Sequence, residues 1–260
     1  MATAGNTRKH IERKTDLFNL IMEKEPISVD DLATCAGVSS STLRRELRVL
    51  IADGLVILNA GQVSIALGTK EELPFAYRMT QDHEEKEAIA RAALDLVKNG
   101  ETIFITGGTT ALELARLLPG KRRVTVITNA LPVANLLVED RNIKVVVLGG
   151  EIRPGELTMH GHLVLYGIKQ LRADKLFYGV EAISPEYGLT HSQLVEVNTD
   201  RALIKAFSQT IILADHTKFG RVAPASVVSV DDVDIIITGK ELALPFVEEF
   251  HRRNVRLILA

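Results

Sequence analysis

From residue 102 to the end of the chain, short apolar runs rich in β-branched residues alternate with segments whose apolar residues recur at helical spacing. Strands that are apolar on both faces and alternate with helices are typical of a parallel sheet covered by helices on both sides. The alternation therefore predicts an α/β domain around a mostly parallel sheet. The predicted strands span residues 102–106, 124–128, 144–148, 175–180, 210–214, 233–238 and 255–259.

Five of these strands are followed by loops that are rich in glycine, hydroxyl groups or charge. Loops at the carboxyl ends of parallel strands share one edge of the sheet, where ligands bind. Glycines let the backbone approach an anion, and the N–H groups that begin the following helix point toward it. Each loop alone is also compatible with a plain connection. Together they predict an anion-binding site made of Gly107, Gly108, Thr109, Thr110, Thr128, Asn129, Gly149, Gly150, Arg153, Glu181, Asp215 and Lys218.

The glycine loop after the first strand lacks the signatures of nucleotide-binding loops. No Gly-Lys-Ser/Thr follows its first glycines, and Gly-x-Gly-x-x-Gly is absent. His160, His162 and His191 are candidate metal ligands, but the first two lie in a glycine-containing segment without the carboxylates or cysteines of a metal site, so we expect no metal. No Ser/His/Asp or Cys/His order indicates catalytic residues. We therefore expect neither a cofactor nor a catalytic site.

The first 66 residues have a different pattern, in which helical segments come before two short strands. Apolar residues between positions 8 and 24 recur at the spacing of a helix. A capping-box pattern at residues 28–31 begins a second helix. After a third helix, strand-like runs at residues 55–58 and 62–66 flank a turn. The order of these elements predicts a winged helix-turn-helix.

The third helix begins after Gly37, at a run of hydroxyl side chains. Leu43, Leu47 and Leu50 recur on its apolar face, and arginines occupy the opposite face. A tight turn followed by a helix with short polar residues and arginines near its N-terminal end is typical of helices that read the major groove of DNA. A solvated helical bundle, in which the arginines only increase solubility, is the alternative. The residues predicted to contact DNA are Ser39, Ser40, Ser41, Thr42, Arg44, Arg45 and Arg48.

These patterns divide the chain into a winged helix-turn-helix domain at residues 1–66, a linker at 67–80 and an α/β domain at 81–260. The chain contains 31 Lys and Arg against 33 Asp and Glu, and the first 60 residues contain eight of each kind. A DNA contact must therefore come from a local basic cluster. The single cysteine, Cys35, and the lack of a long apolar run predict a cytoplasmic protein that does not enter a membrane.

Several short motifs follow one another along almost the whole chain. They are residues 39–47 (SSSTLRREL), 105–110 (ITGGTT), 128–129 (TN), 149–153 (GGEIR), 188–190 (GLT) and 214–220 (ADHTKFG). In this order and spacing they resemble the DeoR family of bacterial transcriptional regulators. The resemblance implies a winged helix that binds operator DNA and a sensor domain, similar in fold to ribose-5-phosphate isomerase, that binds a phosphorylated sugar or related effector. It also implies a repressor of carbohydrate catabolism genes that works as a homodimer or homotetramer.

The chain departs from the usual family pattern at three places. The family usually has an aspartate before the glycine pair, where this chain has Thr106. The wing of the family usually carries basic residues and a His-Gly-Gly turn, whereas residues 55–65 here contain no Lys or Arg. Before the fifth strand the family often has a Glu-x-Lys pattern, and this chain has Asn198, Thr199 and Asp200 instead.

Two functions are open at this point. The first is a DNA-binding repressor whose operator affinity depends on a phosphorylated effector. The second is a sugar-phosphate isomerase-like enzyme with an accessory head domain, in which Glu181, Asp215 and Lys218 could act as acids and bases. The Lys-Gly-Gly loop of the isomerases is absent after the fourth predicted strand, and a helix-turn-helix has no use in such an enzyme. The sequence therefore favours the repressor, with operator DNA, the effector and a second copy of the chain as partners.

Overall fold

The computed structural model describes residues 16–52, 54–66, 75–153, 155–253 and 255–260. It divides into two compact units between Gln81 and Asp82. Three predicted features lie partly outside the described residues: the first helix before residue 16, the end of the third helix at residue 53, and residues 67–74 of the linker. The elements of the N-terminal unit are α1 (16–24), β1 (Ile27–Ser28), α2 (Val29–Cys35), α3 (Ser40–Ala52), β2 (Val56–Asn59), β3 (Gln62–Ile65) and α4 (Phe75–Arg78).

The N-terminal unit has the layout of a winged helix-turn-helix. The Ser28 hydroxyl accepts a hydrogen bond from the Asp31 N–H at 3.1 Å and so begins α2, as the capping-box pattern predicts. The turn between α2 and α3 passes through Gly37, whose φ of +63° favours glycine. The three strands pair antiparallel in the order β1-β3-β2. Apolar side chains of α1, α2, α3 and the sheet, Phe18, Leu32, Leu47 and Val63 among them, form one buried core.

Part of the predicted linker belongs to this core. The helix α4 lies within residues 67–80, and its Tyr77 is buried. The Tyr77 ring lies 4.7 Å from that of Phe18, centroid to centroid, and its hydroxyl donates a hydrogen bond to Asn19 Oδ1. A four-residue helix is too short to produce a periodic pattern, which explains why the sequence did not reveal it.

The second unit begins with α5 and contains a seven-stranded sheet, a smaller three-stranded sheet and a hairpin. Its elements are α5 (His83–Asp95), β4 (Thr102–Ile105), α6 (Thr109–Leu117), β5 (Val124–Thr128), α7 (Leu131–Leu137), β6 (Ile143–Val147), β7 (Glu151–Arg153), β8 (Thr158–His160), α8 (His162–Gln170), β9 (Lys175–Gly179), β10 (Ala182–Ser184), β11 (Gly188–His191), α9 (Leu194–Ala206), β12 (Thr210–Leu213), β13 (Ala225–Val228), β14 (Ile235–Thr238), α10 (Leu244–Arg252) and β15 (Arg256–Leu259).

All seven predicted strands form the large sheet, so the predicted fold class is confirmed. The strands are parallel and lie in the order β15-β14-β12-β9-β4-β5-β6. From β4 the chain first builds the sheet outward through β5 and β6, and then returns to β9 on the other side of β4. The topological switch point is therefore between β4 and β9. In open α/β sheets, a crevice at the carboxyl ends of the strands at this point is where ligands bind.

Two smaller groups of strands were not predicted. The strands β7 and β8 form a hairpin, and β10, β11 and β13 form an antiparallel sheet. The hairpin is relevant to the site because Thr158 at the start of β8 pairs with Ala130, directly beyond the carboxyl end of β5. Within the described parts of the chain, no helix combines the length and apolarity needed to cross a membrane.

Candidate functional site

The predicted DNA-contacting residues lie at the start and on the outer face of α3. The Ser39 hydroxyl accepts a hydrogen bond from the Thr42 N–H at 3.3 Å and caps the helix. Leu43, Leu47 and Leu50 are buried. The remaining predicted residues are exposed or half-buried: Ser40, Ser41, Thr42, Arg44, Arg45 and Arg48. The side chain of Arg45 is 71% exposed and lies 3.5 Å from the Glu46 carboxylate, so the arginines project from the face opposite the core.

At the switch point of the second unit, the carboxyl ends of β4 and β9 come into close backbone contact. The Gly179 N–H donates to Thr106 Oγ1 at 3.0 Å, and the Thr106 hydroxyl donates to the Gly107 carbonyl at 3.1 Å. A Cβ atom on Gly179 would lie 2.8 Å from the Gly107 carbonyl oxygen, so a side chain there would force the strands apart. Thr106 stands where the family usually has an aspartate. Its hydroxyl hydrogen-bonds to the ends of both strands.

The glycine loop leads directly into α6. Gly108 is the N-cap of this helix, has a φ of +109° and provides no side chain to cap the first turn. Thr109 and Thr110 form the first turn and are 5% exposed. A helix start of this kind presents backbone N–H groups and the positive end of the helix dipole. A Cβ atom on Gly107 would lie 2.2 Å from Thr158 Cγ2, so the loop packs tightly against β8.

Thr128 and Asn129 end β5 beside the same hairpin. The Thr128 hydroxyl accepts a hydrogen bond from the Ala130 N–H at 3.0 Å. Asn129 is 2% exposed, and its Nδ2 donates to the Met159 carbonyl at 2.9 Å. Its Oδ1 is buried and has no hydrogen-bond partner among the described residues. A buried acceptor without a partner among the described residues is therefore present at this position.

Three predicted anion-site residues follow β6, namely Gly149, Gly150 and Arg153, and their roles differ. Gly149 has open space where its Cβ would be, whereas a Cβ on Gly150 would lie 2.4 Å from the His160 carbonyl oxygen. Gly150 therefore allows β8 to approach the end of β6. Arg153, at the end of β7, donates from Nη1 to Glu196 Oε1 at 2.7 Å. This ion pair connects the hairpin to α9.

Around the Arg153 ion pair lies a set of buried and half-buried polar side chains that we call the acid-base cluster. Its members are Arg153, Thr158, His160, Tyr178, Glu181, His191, Glu196 and Asp200. Glu196 Oε2 lies 3.2 Å from His160 Nε2 and 3.5 Å from His191 Nε2. Glu181 Oε2 accepts hydrogen bonds from the N–H and hydroxyl groups of Ser192. Among the residues described, no group of three His, Cys, Asp or Glu side chains could hold a metal ion.

Burial shifts the protonation of several cluster members. Burial and, to a smaller extent, the charges of Arg153 and His191 lower the pKa of His160 to about 4, so its ring is neutral at pH 7. Burial also raises the pKa of Asp200; the hydrogen bond from Tyr178 opposes this shift and the charge of Glu196 adds to it, which gives a net pKa of about 7. Burial and the neighbouring Asp200 hold the pKa of Tyr178 well above its usual value.

Asp215 and Lys218 lie in a separate loop after β12. Asp215 Oδ1 accepts a hydrogen bond from the Thr217 N–H at 3.1 Å and begins a short 3-10 turn at His216–Lys218. Glu85 on α5 holds this loop, since it accepts from the His216 N–H at 2.7 Å and contacts His216 Nδ1 at 2.7 Å. Burial alone would lower the pKa of His216, but the hydrogen bond and charge of Glu85 outweigh it and raise the pKa.

The structure therefore places some of the predicted anion-site residues near one another and others apart. Gly107 and Asn129 contact β8, Gly108 lies against Gly179 of β9, and Arg153 and Glu181 belong to the acid-base cluster. Asp215 and Lys218 follow β12, where Asp215 caps the short 3-10 turn that ends at Lys218. The sequence analysis missed the cluster members Thr158, His160, Tyr178, His191, Glu196 and Asp200. His160 and His191 were considered there only as metal ligands, and Asp200 only as part of a departure from a family motif.

Comparison with known proteins identifies relatives along nearly the whole chain. The family model of the DeoR C-terminal sensor domain matches residues 81–240. The HTH-type transcriptional regulator GolR of Listeria innocua is 33% identical over 96% of this chain and 98% of its own length. The glycerol-3-phosphate regulon repressor of Escherichia coli is 30% identical over 88% of this chain and 91% of its length. The repressor CsqR of Escherichia coli is 33% identical over 88% of this chain and 87% of its length.

Solved structures give a weaker similarity. Ribose 5-phosphate isomerase A from Methanocaldococcus jannaschii superimposes with a TM-score of 0.40 and 18% identity, over 54% of this chain and 55% of its own. The eIF2B beta subunit from Chaetomium thermophilum gives a TM-score of 0.45 and 16% identity, over 79% of this chain and 56% of its own. Values this low carry no argument about function.

The protonation of Asp200 predicts a pH-dependent stability. Its pKa of about 7 in the folded chain exceeds the ordinary 3.8, so it stabilises the folded state at low pH, and this stability is lost as the pH rises through 7. Asp200→Asn cannot ionise. Relative to the unsubstituted chain, its unfolding temperature should therefore rise more at pH 8 than at pH 5. Thermal unfolding at both values, with the exposed Asp95→Asn as control, measures the difference. An equal effect of Asp200→Asn at both values would contradict this account.

Proposed function

The chain belongs to the DeoR family of bacterial transcriptional regulators, and from this premise we propose that it represses carbohydrate catabolism genes under the control of a phosphorylated sugar or related metabolite. It is a transcriptional regulator and not an enzyme, because relatives that match it over nearly their whole length are named regulators and repressors. This full-length match, which includes both units, is the observation that carries the conclusion. It excludes the isomerase-like alternative.

Operator DNA is the partner of the N-terminal unit in this proposal. The exposed N-terminal end of α3, with Ser40, Ser41 and the arginines that follow, supports reading of base edges in the major groove. The wing between β2 and β3 adds no basic side chain, because residues 55–65 contain no Lys or Arg. DNA affinity therefore depends on α3. Since operator DNA is its partner, we propose a cytoplasmic location.

The effector phosphate is proposed to lie at the glycine loop after β4. The close approach of Gly107 and Gly108 to the backbone of β9, and the uncapped start of α6, support an anion there. Thr109, Thr110, Thr128, Asn129, Gly149, Gly150, Arg153, Glu181, Asp215 and Lys218 remain candidates for the rest of the effector contacts. Because one relative is named a repressor of the glycerol-3-phosphate regulon, that ester belongs in the first screen of effectors.

We expect the protein to bind DNA as a homodimer or homotetramer. One recognition helix contacts too few bases and phosphates for tight specific binding, so two copies should read paired half-sites. Sedimentation of the protein alone and on a selected operator measures the assembly. A monomer in both samples would contradict the expectation.

Arg44→Ala and Arg45→Ala should each weaken operator binding while leaving the fold intact. The expected loss is roughly 1 to 3 kcal/mol for an arginine that reads a guanine, and less for one that contacts only phosphate. The operator is obtained by selection from random DNA with the unsubstituted protein, and affinity is measured by fluorescence anisotropy. Arg91→Ala is the matched control, because the Arg91 side chain is 66% exposed on a helix of the other unit. Unchanged operator affinity in both α3 variants would contradict the proposal that this helix recognises the operator.

Gly108→Asp should abolish the response to the effector and leave operator binding in place. The substitution places a negative charge and a side chain where the phosphate would bind. Gly120→Asp is a close control: Gly120 has a φ of +112°, similar to the +109° of Gly108, but precedes β5 at the opposite edge of the sheet. Operator binding is measured with and without the ester that gives the largest thermal shift. A wild-type response in Gly108→Asp would place the phosphate elsewhere.

A further inference from the structure

The acid-base cluster lies directly beside the proposed phosphate loop. Thr158 connects the two, since its methyl group occupies the space next to Gly107 and its hydroxyl lies 2.8 Å from His160 Nε2. His160 in turn contacts Glu196, which is paired with Arg153. A continuous set of contacts therefore runs from the glycine loop into a buried polar interior. This interior is where the part of an effector beyond its phosphate would lie.

The contacts of His160 determine which of its ring nitrogens carries the proton. Its Nε2 lies 2.8 Å from the Thr158 hydroxyl, which can donate or accept, and 3.2 Å from Glu196 Oε2, and the other oxygen of that carboxylate accepts a hydrogen bond from Arg153. A carboxylate paired with a guanidinium accepts hydrogen bonds and does not donate them. The single proton of the neutral ring is therefore on Nε2. Its Nδ1 consequently carries a lone pair and can only accept.

Among the described residues, no donor reaches this acceptor. His160 is 6% exposed, and its Nδ1 is buried without a hydrogen-bond partner among the described residues. Asn129 Oδ1 is a second buried acceptor in the same condition, and the Asn129 amide donates to Met159, the neighbour of His160 on β8. Leaving such acceptors unsatisfied is unfavourable, so each requires a donor from outside the described side chains.

We propose that His160 is a specificity-determining residue of the effector site, whose Nδ1 accepts a hydrogen bond from a hydroxyl group of a phosphate ester bound at the glycine loop. Asn129 Oδ1 accepts a second one. Two acceptors, one of them on a ring that contacts the Glu196 carboxylate, select an effector that donates hydrogen bonds and reject one that carries its own carboxylate. The effector is thus a phosphorylated sugar or polyol and not a phosphorylated acid. This inference rests on the proposed function, because it takes the phosphate site as given.

The full-length protein tests the ligand class without any substitution. Calorimetric titrations compare glucose 6-phosphate with 6-phosphogluconate and sn-glycerol 3-phosphate with 3-phosphoglycerate, and inorganic phosphate is the reference. We expect at least one hydroxyl ester to bind about tenfold more tightly than its acid partner, which corresponds to one hydrogen bond. Equal or tighter binding of the acids in both pairs would overturn the inference. Failure to bind phosphate and all four esters would overturn the proposed phosphate site as well.

The variant His160→Gln tests the residue itself. Glutamine can still donate to Glu196 from the position of Nε2, but it has no acceptor at the position of Nδ1. The ratio of ester affinity to inorganic phosphate affinity should therefore fall about tenfold. His162→Gln, at the exposed first residue of α8, is the matched control and should keep the ratio. An unchanged ratio in His160→Gln would overturn the assignment.

A spectroscopic measurement on the unsubstituted protein separates a ligand contact from a structural role. In a ¹⁵N-histidine-labelled sample, the Nδ1 resonance of His160 should show an unprotonated nitrogen that shifts when the ester is added and does not shift with inorganic phosphate. His160→Asn, which returns a polar group near the Nδ1 position, should recover part of the ester selectivity. A resonance that responds equally to both ligands would overturn the proposed hydroxyl contact.

Discussion

The second unit depends on the backbone contact between the ends of β4 and β9. These strands are neighbours in space although β5 and β6 lie between them in sequence, so their carboxyl ends diverge into loops on opposite sides. Gly179 allows the approach, and the Thr106 hydroxyl replaces a backbone acceptor for the Gly179 N–H. The start of α6, the position of β8 and the acid-base cluster are all arranged around this contact.

The glycine loop after β4 and the acid-base cluster consequently lie next to each other. The glycine loop offers backbone N–H groups, which suit a phosphate, and the cluster offers buried acceptors and carboxylates, which suit hydroxyl groups. The chain keeps charged side chains such as Glu196 and Asp200 almost fully buried. Burying ionisable groups is costly even when they are paired, as Glu196 is with Arg153, and such a cost is consistent with the binding role proposed above.

The sequence predicted features that repeat or that depend on local chemistry. The seven strands of the large sheet are continuous apolar runs, and α3 has a clear apolar face at Leu43, Leu47 and Leu50. Strands of three residues, such as β8 and β10, leave little pattern in the sequence. The burial of Asp200 could not be predicted either, because a carboxylate normally indicates a solvated face.

The central claim is that one chain couples operator binding to a phosphate ester, and reciprocal coupling tests it most directly. Operator affinity is measured with and without a saturating amount of the ester selected by thermal shift, and ester affinity is measured with and without operator. The account predicts that both affinities change by the same factor, for example about tenfold or 1.4 kcal/mol in each direction. An operator affinity that does not change when the ester is bound would contradict it.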